Sequence, residues 1–354
     1  MAELKNLNVA LLGFGNVGRA LGELLLRKAG TLRDEYGLVV RVVGISTGRH
    51  GHAINPAGIP VKAALEAVRS GQPLTPLHHG APVADTAGFL AATSADLLFE
   101  TSPTSITDGQ PSLSYITAAL TKGMHVVTAN KGPVAFALRT LRMLAEQKGV
   151  GFMHEATVMG GAPVMSLVRE SMPAATIRRV RGIFNSTTNY ILSSMEQDNV
   201  TFEQALHAAQ EIGIAETDPT LDIDGWDSAV KTAIVANVFM GASLTPQDVN
   251  PVGIRDLALE TVQQRAGEGK RIRLICEAVR QPDGTVRASV APQALPQSDA
   301  LAQIVGRNNV IDFETDTLHR ITLIEHSAGP DTTAYGMFAD MLNILRGRHH
   351  TAVH

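Results

Sequence analysis

The stretch Val9-Ala10-Leu11-Leu12-Gly13-Phe14-Gly15-Asn16-Val17-Gly18 decides the fold of the first half of the chain. Its four apolar residues predict a buried strand, and a G-x-G-x-x-G pattern leads from that strand into a helical pattern, as a dinucleotide-binding loop requires. In such a loop Gly13 permits the tight turn, Gly15 leaves room for a pyrophosphate, and Gly18 lets helix and strand pack closely. The alternative is an ordinary glycine turn. The pattern predicts a cofactor loop made of Gly13, Phe14, Gly15, Asn16, Val17 and Gly18.

Short apolar runs alternate with helical patterns through the first 155 residues. Strands that alternate with helices form a parallel, doubly wound sheet, and continuous apolar strands indicate a sheet covered on both faces. We therefore expect an α/β, Rossmann-type domain over residues 1–155. Its predicted strands are 9–12, 38–45, 96–100, 125–128 and 151–154, and its predicted helices are 19–27, 116–121 and 135–147.

The pattern changes after about residue 155. Residues 156–330 predict an α+β domain with a mixed or antiparallel sheet. Its predicted strands are 178–184, 271–279, 286–290, 310–313 and 320–325, and its predicted helices are 202–211 and 228–240. The tail, residues 331–354, is helical by composition, and we expect it to pack back onto the first domain.

Composition excludes several classes of function. The 354 residues suggest about two domains, and a hydrophobic content of 44% is enough to build cores. With 30 Lys and Arg against 34 Asp and Glu, no basic excess exists to hold a nucleic acid. The single cysteine, Cys276, rules out an intramolecular disulfide and a cysteine-rich metal site. The low cysteine content favours a reducing cytoplasm. No apolar run approaches a membrane span of ~18 residues, so we expect no membrane partner.

Cofactor choice is read at the end of the second predicted strand, in Ile45-Ser46-Thr47-Gly48-Arg49-His50. An acidic residue there binds the ribose 2′-hydroxyl of NAD, whereas an arginine accommodates the 2′-phosphate of NADP. The segment has no acid and offers Arg49, which favours NADP. The alternative is that Arg49 is a solvated loop residue and that NAD binds without an acidic clamp.

Two further stretches carry polar side chains that could do chemistry. Lys131 follows a predicted strand, at the edge of an α/β sheet where ligands bind, although a surface lysine is an equal reading. Five carboxylates fall within residues 216–227. A calcium loop aligned on Gly225 would put Lys231 in the final glutamate position, so that reading fails. A solvated acidic turn remains the alternative, although Ile223 and Trp226 suggest packing.

Asp227 and Lys231 are four residues apart in a predicted helix, so both lie on one helix face. An acid and an amine together can orient a substrate ammonium or alcohol and exchange a proton with it. An ordinary ion pair on the helix surface is the alternative that the spacing alone favours.

The run Gly213-Ile214-Ala215-Glu216-Thr217-Asp218-Pro219-x-x-Asp222-Ile223-x-Gly225-x-Asp227-x-x-x-Lys231 resembles the homoserine dehydrogenase signature throughout. The glycine loop agrees, as do stretches 100–104, 128–132, 155–158 and 185–190. The resemblance spans roughly residues 7–345 and is closest to the short monofunctional form, which has no aspartokinase half and no C-terminal regulatory domain.

The resemblance implies a function and a set of site residues. Homoserine dehydrogenases interconvert L-aspartate 4-semialdehyde and L-homoserine with NAD(P)(H), in threonine, methionine and isoleucine synthesis. It implies that Lys131 and Lys231 are catalytic, that Glu216 and Asp227 hold the substrate amino group, and that Asp222 belongs to the same polar cluster. It further implies a homodimer that uses the sheet of the second domain, which would be a substrate-binding and dimerisation domain.

The resemblance also implies contacts for the cofactor and for a cation. Thr101 and Ser102 approach the nicotinamide, and Lys131 and Gly329 contact the cofactor. A monovalent cation, Na⁺ or K⁺, would be held by the Glu155 carboxylate and the backbone oxygens of Val158, Gly160 and Ala162. Two other functions stay open: a related dehydrogenase for another small aldehyde or hydroxy acid, and a nucleotide sensor without catalysis.

Overall fold

A computed structural model describes residues 4–348 of the chain. They form two compact units, residues 4–163 together with 329–348, and residues 164–328. The final part of the predicted tail segment, residues 349–354, lies outside the described residues. No helix within the described range is long and apolar enough to cross a membrane.

The first unit contains a six-stranded sheet with the order β3-β2-β1-β4-β5-β6. The strands are β1 (Lys5–Leu12), β2 (Leu38–Thr47), β3 (Gly51–Ile54), β4 (Leu97–Glu100), β5 (His125–Thr128) and β6 (Phe152–Met153). Five strands are parallel, which confirms the predicted doubly wound sheet, and β3 pairs antiparallel with β2 at the edge. The short β3 has no alternating pattern, and for that reason the sequence did not predict it.

The helices of this part of the first unit lie between its strands or directly after the last of them. They are α1 (Asn16–Tyr36), α2 (Val61–Arg69), α3 (Thr86–Ala92), α4 (Ser112–Thr121), α5 (Lys131–Lys148) and α6 (Ala156–Met159), with a 3₁₀ turn at Thr75–Leu77. The carboxyl ends of three strands are tied together, since the Gly13 N–H donates to the Ser46 carbonyl at 2.9 Å and the Thr101 N–H donates to the Leu12 carbonyl at 2.7 Å. The polar segments that follow these strands therefore lie at one edge.

The closing helix of the chain, which we number below as α14 (Pro330–Leu345), belongs to the first unit and packs on α1. Ala334, Met337 and Met341 of this helix are fully buried in one core with Leu21 and Leu24 of α1. Apolar residues at helical spacing thus extend the core that covers β1.

The second unit contains a five-stranded sheet with the order β11-β10-β7-β8-β9. The strands are β7 (Ile177–Ile183), β8 (Lys270–Arg280), β9 (Val286–Pro296), β10 (Asn309–Thr315) and β11 (Arg320–Glu325). Every neighbouring pair is antiparallel. Of the two arrangements left open by the sequence, the mixed sheet is wrong, because apolar periodicity marks strands without giving their direction.

One face of this second sheet is covered by helices. The helices of the unit are α7 (Val164–Ser166), a π-helical turn (Leu167–Ser171), α8 (Ser186–Gln197), α9 (Phe202–Glu211), α10 (Thr220–Ile223), α11 (Trp226–Met240), α12 (Pro246–Val249) and α13 (Leu259–Gly267), with a 3₁₀ turn at Ala300–Gln303. Phe239 of α11 packs edge-on against Phe313 of β10, with ring centroids 5.5 Å apart. The hydrogen bond from Lys231 of α11 to the Phe184 carbonyl places the first half of α11 beside the end of β7.

The burial of α14 predicts a stability effect. Replacing Met341, which is 0% exposed, with alanine leaves a cavity between α14 and α1, and we expect the free energy of unfolding of the first unit to fall by about 2–5 kcal/mol. Met143→Ala is the control, because this methionine is 64% exposed and its truncation should cost less than about 0.5 kcal/mol. Urea denaturation compares the two. Equal midpoints for both variants would contradict the packing of α14.

Candidate active site

The glycine loop forms a cradle between β1 and α1. Gly13 has a φ of +93°, and a Cβ there would lie 2.5 Å from the Thr101 carbonyl carbon. A Cβ on Gly18 would clash with the Gly13 carbonyl oxygen. A Cβ on Gly15 would meet nothing within 4 Å, so this residue opens onto space at the start of α1. The loop therefore fits a group that needs close approach to helix N–H donors, such as a pyrophosphate.

The end of β2 lies beside this cradle. The Ser46 hydroxyl bonds to the His52 ring at 2.9 Å, and the His50 N–H donates to the Thr47 hydroxyl at 2.7 Å. Arg49 is exposed in the turn between β2 and β3. No acidic residue occurs from 45 to 54. The turn therefore offers a ribose the positive charge of Arg49 and no carboxylate.

Glu100, at the end of β4, is a buried carboxyl to which the sequence analysis gave no role. It is 0% exposed and accepts hydrogen bonds from the Ser102 N–H at 2.9 Å, from the Ser102 hydroxyl, and from the Thr128 hydroxyl at 2.7 Å. Burial raises the pKa of Glu100, although these hydrogen bonds oppose the shift. The carboxyl thus joins the ends of β4 and β5.

The same network continues to the start of α5. The Thr128 hydroxyl accepts the Asn130 N–H at 2.9 Å, and the Asn130 side chain caps α5 by accepting the Gly132 N–H. The Asn130 amide also donates to the Ser102 carbonyl at 3.0 Å. Lys131 is the first residue of α5 and is partly buried. Its backbone position is therefore fixed by groups that also hold Ser102.

In the second unit, three predicted residues meet in one cluster. The Lys231 ammonium, on α11, lies 2.8 Å from an Asp227 carboxylate oxygen and donates to the Phe184 carbonyl at 2.6 Å. The Asn185 amide donates to Asp222 at 2.6 Å and to Asp227 at 2.9 Å. The Lys231 and Asp227 side chains are 16% and 12% exposed, so this pair is not the ordinary surface ion pair that the spacing alone favoured.

Burial and mutual charge shift the proton affinities in this cluster. Burial raises the pKa of Asp222, and the negative charge of Asp227 raises it further. For Lys231, burial lowers the ammonium pKa, but the charges of Asp227 and Asp222 outweigh burial and leave the pKa above its usual 10.5. The neighbouring thiol of Cys276, on β8, has a pKa raised by burial to about 11. The cluster thus holds a firmly protonated amine at neutral pH.

Glu216 forms no hydrogen bond or ion pair with the described residues of this cluster. Its side chain is exposed and makes no hydrogen bond or ion pair to another described residue. Its backbone carbonyl accepts from Gln210 at 3.2 Å, which ties the segment to α9. Of the residues of the signature, Asp222, Asp227 and Lys231 therefore lie together, whereas Glu216 lies on the surface of the unit.

The residues expected to hold a cation form a short turn after β6. Glu155 and Val158 are buried, and Gly160 has a φ of +55°, which ends α6. The Gly160 carbonyl faces Gly336 of α14, where a Cβ would clash with it. No group of three or more His, Cys, Asp or Glu side chains suited to a metal occurs among residues 4–348, so a cation here would need other oxygen donors beside Glu155.

Gly329 and Ser102 also have defined surroundings in the first unit. Gly329 caps α14, and its N–H and carbonyl both bond to the Thr332 hydroxyl. Ser102 lies beside Glu100, as described above. Chemically, the first unit offers a cradle for a dinucleotide, and the second offers an ammonium donor beside two carboxylates.

Comparison with known proteins agrees with both halves of this description. A family model described as homoserine dehydrogenase matches residues 163–342, and one described as homoserine dehydrogenase, NAD binding domain, matches residues 13–155. An NAD(+)-dependent homoserine dehydrogenase from Pseudomonas canavaninivorans is 33% identical over 97% of this chain and 98% of its own. A homoserine dehydrogenase from Methanocaldococcus jannaschii is 34% identical over 96% of this chain and 98% of its own.

Solved structures give the same result. A putative homoserine dehydrogenase from Archaeoglobus fulgidus superposes with a TM-score of 0.82 at 34% identity, covering 96% of this chain and 99% of its own. A hyperthermophilic archaeal homoserine dehydrogenase in complex with NADPH gives 0.81 at 26% identity, covering 97% and 98%. The chain belongs to the homoserine dehydrogenase family.

Proposed function

We propose that the chain catalyses the reversible, NAD(P)H-dependent reduction of L-aspartate 4-semialdehyde to L-homoserine, a step of threonine, methionine and isoleucine synthesis. The observation that carries the proposal is the buried cluster of Asp222, Asp227 and Lys231, which accompanies an open glycine cradle in the same chain. A protein that only senses nucleotides needs the cradle but has no use for a buried amine beside two carboxylates. Absorbance of reduced nicotinamide with L-homoserine as substrate tests the proposal.

The nucleotide would be held by Gly13, Phe14, Gly15, Asn16, Val17 and Gly18, with Thr101, Ser102, Lys131 and Gly329 as further contacts. When bound, it supplies hydride transfer at C4 of the nicotinamide. The protein supplies charge and proton transfer. An ammonium at Lys131 or Lys231 stabilises the negative charge that develops on the aldehyde oxygen during reduction and donates a proton to it. Glu216, Asp222 and Asp227 would hold the substrate amino group.

Lys231 is oriented for this task by its two described partners. Its ammonium has three N–H donors, of which one faces Asp227 and one the Phe184 carbonyl. No third partner occurs among the described residues, so one donor remains for a substrate oxygen. The same nitrogen, once neutral, would accept the hydroxyl proton of homoserine in the oxidative direction.

NADP(H) is proposed as the preferred cofactor, with NAD(H) as a second substrate. Arg49 is exposed in the turn after β2, where a 2′-phosphate would lie, and no acid stands nearby to bind the 2′-hydroxyl of NAD. The names of the relatives include both cofactors, so the preference depends on this one arginine and on the missing acid.

A monovalent cation and a second copy of the chain complete the proposal. Na⁺ or K⁺ would be held by the Glu155 carboxylate and the carbonyls of Val158, Gly160 and Ala162, since hard oxygen donors suit alkali ions. The dimer would use the face of the second sheet opposite Phe313. On that face β11 presents Arg320, Thr322 and Ile324, and Ile324 is 42% exposed.

Replacement of Arg49 tests cofactor choice. We expect Arg49→Ala to raise the KM for NADP⁺ by about tenfold or more, because a charge-assisted contact with the 2′-phosphate is lost. The KM for NAD⁺ should not change. Arg27→Ala, which removes an exposed arginine from α1, serves as the control. Initial rates with each cofactor give the result, and a parallel rise in both KM values would assign Arg49 no role in discrimination.

Replacement of Lys231 tests the proton-transfer role. We expect Lys231→Met to lower kcat for homoserine oxidation by about 10²–10⁴-fold, the range of general acid–base catalysis, and to leave NADPH binding intact. Lys270→Met, at a partly exposed lysine of the same unit, should behave as wild type. Steady-state rates and NADPH fluorescence titration measure the two effects. A variant with wild-type turnover would remove Lys231 from the mechanism.

The raised pKa of Lys231 fixes the sign of a pH effect. Oxidation needs the neutral amine, so kcat for homoserine oxidation should rise by roughly tenfold per pH unit below the pKa of Lys231, which lies above 10.5. Reduction uses the ammonium, so its kcat should not show this rise with pH, which we call the alkaline limb. Initial rates from pH 7 to 10, at about saturating substrates, measure both directions. A flat oxidative profile is the outcome that excludes a lysine base.

A further inference from the structure

Asn185 lies between the two carboxylates of the polar cluster and has so far been given no role. It lies two residues after the end of β7, is 5% exposed, and caps α8. Its amide nitrogen donates to an Asp222 oxygen at 2.6 Å and to an Asp227 oxygen at 2.9 Å. One neutral side chain therefore contacts both acids.

The hydrogen bonds leave only one orientation for this amide. The Asn185 side-chain oxygen accepts the Thr188 N–H at 2.9 Å and the Thr188 hydroxyl at 3.1 Å. A flipped amide would set its oxygen against two carboxylates and its NH₂ group against a backbone N–H, which loses every one of these bonds. Both N–H donors of Asn185 are thus committed to the acids.

The acids need such a group because, when both are ionised, they carry more negative charge than the Lys231 ammonium balances. The charged and titratable groups that face it are Asp222 from α10, Asp227 and Lys231 from α11, and the Cys276 thiol from β8. One ammonium therefore serves two carboxylates, and like charges at this distance repel. An amide with two donors lowers that repulsion without adding charge.

We propose that Asn185 is a positioning residue, whose amide holds the Asp222 and Asp227 carboxylates in the arrangement that directs the Lys231 ammonium toward the substrate. The inference rests on the proposed function, in which this ammonium serves the reacting oxygen. Asn185 touches neither substrate nor cofactor in this role. It acts by fixing Asp227, whose same oxygen accepts from both Asn185 and Lys231.

The sharpest test is Asn185→Asp, because aspartate keeps the capping oxygen for α8 and replaces the two donors with a carboxylate oxygen. We expect kcat/KM for homoserine to fall by about 100-fold, as for misplacement of catalytic groups, while NADPH binding stays at its wild-type value. The added carboxylate also raises the pKa of Lys231. The alkaline limb of homoserine oxidation should therefore move upward by about one pH unit, which simple destabilisation would not produce.

A matched control is Asn237→Asp, the same substitution at a partly buried asparagine of α11. The Asn237 amide donates to the Leu244 carbonyl at 2.8 Å and has no contact with the acids. This variant should melt at a lower temperature but keep the wild-type KM and pH profile. Asn185→Ser retains a helix cap and adds no charge, so it should raise the KM for homoserine without moving the alkaline limb upward.

Direct titration of Lys231 separates this inference from the proposed function. In protein with ¹³C-labelled lysine, the Lys231 signal is assigned by its loss in Lys231→Met and followed with pH in wild type and Asn185→Asp, without substrate. An upward shift in the variant supports the positioning role of Asn185 even if the wild-type protein fails to oxidise homoserine. An unchanged titration of Lys231 in Asn185→Asp overturns the inference. If the wild-type protein is active, a wild-type KM for homoserine in Asn185→Ser also overturns it.

Discussion

The second unit depends on the ion pair between Lys231 and Asp227, whose atoms lie 2.8 Å apart in a largely buried site. Burying two charges costs more than their attraction returns unless the remaining donors and acceptors are satisfied. Here the Phe184 carbonyl takes one N–H of the ammonium, and the Asn185 amide donates to the carboxylate. The end of β7, the start of α8 and the start of α11 are therefore held together by one polar network, and none of these segments can move without breaking it.

The first unit also contains a buried acid that joins neighbouring segments, but it has no ammonium beside it among the described residues. Glu100 has no cation among its described partners and is held by hydroxyl and N–H donors from Ser102 and Thr128. Burial therefore raises its pKa, whereas Lys231 keeps its charge because carboxylates surround it. Glu100 therefore joins the ends of two strands, whereas the acids of the second unit also raise the pKa of the Lys231 ammonium.

Much of the fold could be predicted because it depends on residue patterns that are local in the sequence. The glycine loop, the strands around it and the helix α11 follow from periodicity and turn residues close in sequence. Strand direction in the second sheet does not, since it depends on chain connections that a local pattern does not contain. The roles of Asn185 and Glu100 could not be predicted for the same reason. Asn185 contacts acids 37 and 42 residues away, and Glu100 contacts a hydroxyl 28 residues away.

Two neighbouring residues, Phe184 and Asn185, form the hydrogen bonds to the opposite charges of the cluster. Phe184 supplies a carbonyl to the ammonium and Asn185 supplies N–H donors to the acids, so one chain segment solvates both signs with neutral groups. When Asp222 is ionised, the two carboxylates and one ammonium keep one net negative charge. A substrate ammonium would neutralise that charge and lower the pKa of Asp222 toward its usual value. Binding of an amino acid and ionisation of Asp222 would then be linked, which gives the buried second acid a purpose that the ion pair alone does not explain.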